Sequence, residues 1–294
     1  MNTLYIEPFS GLSGDMLLSA LCGLAEGYDE IQKLPGKLHL PDGKVEIHTV
    51  NKNGIVCQHV KIVDLNEATH SHSHSHEHTH GHGHSHEHTH THDHPHEHSH
   101  THTHEHEHTH AHSHSHSQGH SHRHLKDILA LIEKGHISAG AKEIARAIFT
   151  LIGESEARIH NIPIEKIHFH EVSGVDSILD IVGCAVMLDK LNIGKTYADA
   201  VCTGYGMVMT QHGVLPVPAP ATADILKGMP TYKGNEAGEK VTPTGAAVLK
   251  YLNPDFDLPV LETHHTAYGP GQKDFKNANV VRVSLVSEFE KKKR

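Results

Sequence analysis

Apolar residues recur along this chain with two different periods, and each period predicts a different kind of element. Across Gly14–Ala25 and again across 173–191, apolar residues return every three to four positions, which is typical of a helix with a buried face. Across 44–50 and 55–63 apolar and polar residues alternate instead, on either side of Asn51-Lys52-Asn53-Gly54. This second pattern indicates a β-hairpin.

The remaining elements predicted from the pattern alternate between strands and helices. Strands are expected at 4–6, 198–202 and 280–286, and helices at 125–134, 138–158, 221–227 and 245–251. A loop rich in glycine and proline is expected at 204–220. The alternation predicts an α/β or α+β fold, in which helices flank a mixed sheet.

Residues 68–124, called the histidine tract below, show neither period. They hold 27 of the 37 histidines of the 294-residue chain, and every second residue from His70 to His116 is histidine. The tract contains almost no apolar surface to bury, so we expect it to be disordered. The folded part is then expected to consist of 1–67, with a strand, a helix and the hairpin, and of 125–294, the helical and mixed α/β remainder.

Composition excludes several classes of protein. Outside the tract 24 basic residues face 29 acidic ones, so no basic face is available for duplex nucleic acid. No apolar run approaches the roughly 18 residues of a membrane span, and the first residues do not resemble a secretory signal. The four cysteines are widely spaced, which favours reduced thiols. We therefore expect a cytoplasmic protein that binds neither nucleic acid nor membrane.

The histidine tract has the composition of a metal-binding segment. Neutral imidazole suits Ni(II), Zn(II), Co(II) and Cu(II), and a flexible chain of imidazoles finds several donors without a preformed site. The first ligands we expect are His72, His74, His76, His78, His80, His82, His84, His86, His88 and His90. The alternative is a polar spacer or a pH-responsive linker. Because the tract cannot discriminate among late transition metals, specificity is expected from the folded part.

A second group of candidates precedes and enters the helix at 173–191. His168 and His170 fall on one side of an extended segment, and Glu171 follows them. Asp176 and Asp180 lie on the helix itself. Together these side chains are candidates for a set of metal ligands or for a general base. Asp176 also has a structural explanation, a capping box with the serine three positions before it.

Two turns that lead into helices are candidates for binding an anion through backbone amides. The first contains Ser10, Gly11 and Asp15, and its acid either compensates the helix dipole or binds a metal. The second has two hydroxyl groups and no acid, and its residues are Thr242, Thr244, Gly245 and Ala246. It is the better phosphate site, although an ordinary threonine-capped helix explains it equally well.

Three further histidines are isolated from these groups. His212 lies in the loop 204–220 between glycines and prolines, and is a candidate ligand or proton carrier. His264 and His265 are adjacent, so on a strand they point to opposite faces and at most one is expected to take part in a site.

Five segments, arranged in order around the histidine tract, resemble the nickel-insertion protein (nickel chelatase) family of lactate racemase cofactor maturation. They are IEPFSGLSGDMLLSAL, HFHEVSGVDSILDIVG, GYGMVMTQHGVLPVPAPAT, KVTPTGAAVL and AYGPGQKDF with NVVRV. The resemblance implies a lyase-type enzyme that inserts Ni(II) into pyridinium-3,5-bisthiocarboxylic acid mononucleotide. It also implies that CTP hydrolysis with Mn²⁺ or Mg²⁺ drives this reaction and that apo-lactate racemase receives the nickel-pincer nucleotide.

The chemistry implied by the resemblance assigns roles to the candidates. The pincer contains a Ni–C bond, so a ring carbon must lose a proton to a general base beside the metal. His170 or Glu171 is the expected base, and the second turn is the expected site for the mononucleotide phosphate. The expected alternates and transient nickel ligands are His168, Asp176, Asp180 and His212.

The chain departs from the family pattern at its C-terminus. Members of the family continue into a C-terminal domain that carries the CTP site, whereas this sequence stops after the lysine run 291–293. We expect the longer protein to arise by frameshift, and the remaining part to be a partner of this one. The non-catalytic alternative is a nickel, zinc or cobalt storage protein or metallochaperone. The sequence leaves open whether the chain forms a homo-oligomer.

Overall fold

The computed structural model describes residues 1–68, 123–169 and 172–289. The helices are α1 (Gly14–Ala25), α2 (Tyr28–Gln32), α3 (Leu34–Lys37), α4 (Leu65–Ala68), α5 (Leu125–Lys134), α6 (Ala139–His160), α7 (Val175–Leu191), α8 (Pro220–Ile225) and α9 (Pro243–Leu252), with a 3-10 turn at Ile164–Lys166. The strands are β1 (Asn2–Glu7), β2 (Gly43–Lys52), β3 (Ile55–Asp64), β4 (Ile193–Ala198), β5 (Val201–Cys202), β6 (Gly204–Tyr205), β7 (Met207–Thr210), β8 (Gly213–Pro216), β9 (Thr231–Tyr232), β10 (Gly238–Glu239), β11 (Leu261–Pro270) and β12 (Val280–Glu288).

A four-stranded mixed sheet with the order β11-β12-β1-β4 forms the centre of the fold. Strand β1 pairs antiparallel with β12, where Leu4 is opposite Leu285, and parallel with β4, where Leu4 is opposite Thr196. Leu4 and Ile6 are fully buried. The mixed α/β architecture predicted from the alternation of elements is therefore confirmed.

Helices α1 and α7 lie in the middle of the core. Helix α1 packs against β11, β12 and α7, and α7 packs against α6. The apolar period across 173–191 predicts one buried stripe on α7, formed by Val175, Ile178, Leu179, Val182 and Val186. Ile178 and Val182 are fully buried, and so are Ile181 and Met187 outside the stripe. The predicted stripe was therefore too narrow. A helix that is buried on most sides needs apolar residues on most sides.

The hairpin predicted from alternation is present as β2 and β3, which pair along their full length. Asn53 and Gly54 at the turn both have positive φ, as a two-residue hairpin connection requires. The amide of Val60 donates a hydrogen bond of 2.9 Å to Ser19 Oγ on α1. This bond fixes β3 beside the first turns of α1, next to the candidate site.

Several helix ends follow ordinary capping rules. Ser138 Oγ accepts a hydrogen bond of 3.2 Å from the amide of Ala141 at the start of α6. Helices α6, α7 and α9 end at Asn161, Asn192 and Asn253, each in the left-handed conformation. None of the helices in the described ranges is long and apolar enough to cross a membrane.

Several predicted boundaries were wrong. The expected loop 204–220 contains β6 and the β7–β8 hairpin, and the strand expected at 198–202 is divided between β4 and β5. The capping box proposed for Asp176 does not form, because α7 begins one residue later with Gly174 as its N-cap and without a side-chain cap.

Strand β11 was missed because its sequence, LETHHTAYGP, is largely polar and four of its ten residues are exposed. Its pairing with β12 shifts register between Thr263 and His265. His264 and His265 are both exposed on this strand, and His264 Nε2 lies 2.8 Å from Ser287 Oγ.

Candidate functional site

The two helix-leading turns identified in the sequence are in direct contact, although about 230 residues separate them. The amide of Leu12 donates to the carbonyl of Lys240 at 2.8 Å, and the amide of Thr242 donates to the carbonyl of Leu12 at 3.1 Å. These bonds form a short parallel bridge between Leu12 and Val241. The N-termini of α1 and α9 therefore lie side by side.

Two glycines make this approach possible. Gly11 has φ of +105°, and a Cβ atom there would lie 2.0 Å from the carbonyl oxygen of Lys240. A Cβ atom on Gly245 would lie 2.4 Å from the carbonyl oxygen of Leu12. Both distances are far below van der Waals contact and involve backbone atoms. Gly11 and Gly245 are thus required for the two turns to meet.

Most of the polar groups in the second turn already have partners within the protein. Thr242 Oγ1 accepts a hydrogen bond from the amide of Gly245 at 3.4 Å and lies 2.8 Å from Thr244 Oγ1. Thr244 Oγ1 in turn accepts from the amide of Gly14 at 3.2 Å. The threonine cap that was one explanation of this turn is therefore present. Ala246 is fully buried behind it.

Asp15 is the acidic centre of the site, and it is buried. Its Oδ1 accepts hydrogen bonds from the amide of Met16 at 2.9 Å and from Ser13 Oγ. Its Oδ2 accepts from Gln272 Nε2 at 3.2 Å, and His59 Nε2 lies 3.6 Å away. Burial alone would raise the pKa of Asp15, but the contacts with His59, Ser13 and Gln272 outweigh it and lower the pKa. Asp15 is therefore held as a carboxylate.

Asp180 has the opposite electrostatic character. It lies behind Gly14, where an added Cβ would be 3.0 Å from Asp180 Cβ, and its Oδ1 is buried with no hydrogen-bond partner among the described residues. Burial first, then the charges of Asp15 and Asp176, raise the pKa of Asp180 well above its usual range. This environment favours the protonated acid.

Asp176 lies one turn earlier on α7 and is exposed. Desolvation by neighbouring atoms raises its pKa, and the charges of Asp64 and Asp15 add to the effect. The backbone amide of Ser177 partly compensates by hydrogen bonding to its carboxylate. Asp176 and Asp180 of α7 therefore both lie where the charge of Asp15 already makes the electrostatic potential negative.

A cavity of about 240 Å³ opens where the two turns meet. Polar residues of three segments line it: Ser13 and Asp15 from the start of α1, Thr242 from the start of α9, and Gln272 and Asn279 from the connection between β11 and β12. The positive ends of two helix dipoles attract anions, and Asp15 attracts cations. The cavity therefore suits a ligand that carries both kinds of charge.

Two lysines add positive charge to the cavity wall, and Glu239 adds a negative charge. Lys240 is buried, its Nζ lies 3.2 Å from Glu236 Oε2, and it is 3.8 Å from the centre of the Phe275 ring. Lys273 is exposed. Because Glu236 partly neutralises Lys240, Lys273 is the better placed of the two to meet an incoming anion.

Comparison with known proteins agrees with the resemblance in the sequence. The family model described as nickel insertion protein matches residues 4–294. The chain belongs to the nickel insertion protein family. Several relatives are named pyridinium-3,5-bisthiocarboxylic acid mononucleotide nickel insertion protein. The one from Thermotoga petrophila is 39% identical over 95% of this chain and 59% of its own length. The one from Staphylococcus epidermidis (strain ATCC 12228) is 34% identical over 98% of this chain and 60% of its own length.

This member of the nickel insertion protein family thus spans about 60% of the length of the curated relatives it matches. No solved structure matches the chain.

Other candidates are placed away from the junction of the two turns or outside the described residues. His168 is exposed and lies beside His124, and His212 at the tip of the β7–β8 hairpin has its ring centre 5.1 Å from that of His160. Across 1–68, 123–169 and 172–289, no three His, Cys, Asp or Glu side chains form a group that could hold a metal ion. His170, Glu171 and the tract histidines from His72 to His90 lie outside the described residues.

Ser10, the remaining candidate of the first turn, is buried, and its Oγ has no hydrogen-bond partner in the part of the chain that the structure describes.

Sequence reasoning missed three residues of the site. His59 reaches Asp15 from β3, and nothing in its local sequence distinguishes it from the other polar positions of the hairpin. Gln272 lies in the AYGPGQKDF segment of the family resemblance, which was the available signal. Lys240 directly precedes the second turn, but its burial depends on the fold.

Proposed function

We propose that this chain binds Ni(II) and takes part in its insertion into pyridinium-3,5-bisthiocarboxylic acid mononucleotide, which yields the nickel-pincer nucleotide. Membership of the nickel insertion protein family supports nickel as the metal, and the names of the relatives from Thermotoga petrophila and Staphylococcus epidermidis support the acceptor. Lactate racemase is the proposed recipient of the finished cofactor.

The observation that carries this proposal is the junction of the two helix N-termini around Asp15. A mononucleotide offers a phosphate, which the positive ends of the α1 and α9 dipoles and the exposed Lys273 attract. Asp15 remains ionised beside this position and attracts the incoming metal cation. The cavity of about 240 Å³ is large enough for the phosphate end of the ligand rather than for all of it.

The insertion requires that a ring carbon lose a proton, and we assign the general base to His170 or Glu171. Asp180 is unsuited to that role, because the raised pKa favours its protonated form. It is suited to hold a proton beside the first turn, where its charge would otherwise oppose that of Asp15. We also propose His168, Asp176 and His212 as alternative general bases or as transient nickel ligands.

CTP with Mn²⁺ or Mg²⁺ is proposed for the complete reaction. The described residues do not fit this requirement, since hard cations prefer several oxygen ligands and no acidic group of three is found in these ranges. We therefore assign no step of CTP hydrolysis to the site, and propose that it needs the C-terminal part found in longer members of the family.

The test is a nickel-insertion assay on four variants. The purified chain is incubated with precursor, Ni(II) and CTP, together with a C-terminal segment from a longer family member, and the product is scored by absorbance and by reactivation of apo-lactate racemase. We expect Asp15→Asn, His170→Ala and Glu171→Ala to reduce the insertion rate. Asp257→Asn, which changes an exposed acid that does not line the cavity, serves as the matched control.

The outcomes separate the parts of the proposal. A wild-type rate in both His170→Ala and Glu171→Ala would show that the base assignment is wrong. A wild-type rate in Asp15→Asn would show that the junction is not the insertion site. If the chain bound nickel but inserted none with precursor, CTP and the C-terminal segment present, the storage or metallochaperone function would be favoured instead. The density of histidine in the tract supports that function.

A further inference from the structure

Two histidines outside the junction are held side by side. His124 and His168 form an isolated antiparallel bridge, and their rings are tilted by 45° with centres 3.9 Å apart. The sequence singled out His168 but gave no indication that His124, 44 positions earlier, would be its neighbour.

The backbone at both positions is anchored by neighbouring residues. Beside His124, Arg123 donates a hydrogen bond of 2.9 Å to the carbonyl of Ser173, and the amide of His124 donates to Asp127 Oδ2 at 3.2 Å. The segment around His168 is fixed differently, because the side chains on either side of it, Ile167 and Phe169, are each only 1% exposed.

Alternation along this extended segment directs His168 away from the core while its neighbours are buried. The backbone of the pair is therefore preorganised, and only the rotation of the two side chains is lost when both rings bind the same ligand.

The chemistry of the pair suits a metal ion. His124 Nδ1 is buried and has no hydrogen-bond partner among the described residues, whereas the ring of His168 is exposed to solvent. A buried nitrogen without a partner is unfavourable unless a donor or a metal satisfies it. Two nitrogens that share a metal at about 2.1 Å each lie at most about 4 Å apart, a separation that two rings in contact reach by side-chain rotation.

We propose that His124 and His168 bind one late divalent transition-metal ion, with water completing its coordination. The position of the pair gives it a role that rests on the proposed function. His124 is the last residue of the histidine tract, and His168 lies two residues before His170. A metal released by the tract therefore reaches this pair at high effective concentration before it is transferred to the acceptor.

The experiment uses the full chain and Ni(II) alone, so it does not depend on precursor or CTP. Histidines are modified with diethyl pyrocarbonate at increasing NiCl₂, and each site is read by peptide mass spectrometry. Cleavage at Arg123 separates His124 from the other tract histidines. We expect His124 and His168 to be protected together, and MgCl₂ to protect neither.

His168→Ala is the decisive variant, and it changes an exposed side chain. In this variant we expect the protection of His124 to fall to that of unliganded protein, while protection of the tract peptides is unchanged. The matched control is His136→Ala, since His136 forms another ring pair, with His39 at 5.1 Å. It should leave the protection of His124 intact.

Protection of His124 that survives in His168→Ala, or no protection of either ring once the tract is saturated with nickel, would overturn the proposal. The protection of the two histidines does not depend on whether the chain supports nickel insertion. Paired protection in a chain that fails to support insertion would leave the metal site in place and refute only the proposed function.

Discussion

Replacing Gly245 by alanine is the sharpest test of how the site is assembled. The added methyl group would lie 2.4 Å from the carbonyl oxygen of Leu12 and 2.8 Å from Ser13 Cα. Ordinary contacts to these atoms are roughly 1 Å longer. Because both obstacles are backbone atoms of the first turn, α9 must move away from α1, and the bridge between the two turns must lengthen.

The expected cost follows from this overpacking. Forcing an extra methyl group into a packed interior costs about 1–3 kcal/mol. Alanine also gains up to about 1 kcal/mol of helix propensity over glycine, which partly hides the clash. Gly36→Ala is the matched control, since Gly36 is also helical and a Cβ there meets no atom within 4 Å.

The measurement is thermal unfolding of both variants followed by far-ultraviolet circular dichroism. We expect Gly245→Ala to unfold below Gly36→Ala by roughly 2–12 °C, since 1 kcal/mol corresponds to about 2–4 °C in a domain of this size. Insertion activity should fall in Gly245→Ala alone. Equal melting temperatures for the two variants would refute the close approach of the turns.

Three further predictions concern single features of the fold and the tract. Burial, followed by the charges of Asp15 and Asp176, raises the pKa of Asp180, so the folded chain retains a proton that the unfolded chain releases above pH 3.8. Stability should therefore fall as pH rises from this value towards the folded pKa, by up to about 1.4 kcal/mol per pH unit. In urea titrations from pH 4 to 7, the Asp180→Asn variant should not show this loss of stability. If the stability of the variant and of the wild type changed in parallel with pH, the raised pKa of Asp180 would be contradicted. Ser138→Ala should lower stability by about 0.5–2 kcal/mol by removing the cap of α6, with nickel binding unchanged; an unaltered urea midpoint would argue against the cap. Deleting Ser71–Gly119 should remove most of the bound nickel measured by equilibrium dialysis yet preserve insertion at excess nickel, whereas a storage protein would lose its function with its capacity.

The local elements were largely predictable because they depend on short-range periodicity and turn chemistry. The β2–β3 hairpin follows from alternation around a turn that suits positive φ, and α1 follows from an apolar run after a serine. Strand β11 could not be predicted in this way. Its exposed polar residues carry no alternation, and its conformation is imposed by pairing with β12.

The same difference between local signals and long-range packing applies to single residues of the candidate site. The sequence by itself marked both turns, their glycines and Asp15, since a strand followed by a capped helix is a local signal.

Only the tertiary structure decided that the two turns meet, that His59 and Gln272 lower the pKa of Asp15, and that burial raises the pKa of Asp180. The reason is physical. Hydrogen-bond partners and desolvation depend on which distant segments the fold packs together, and a charge state depends on both.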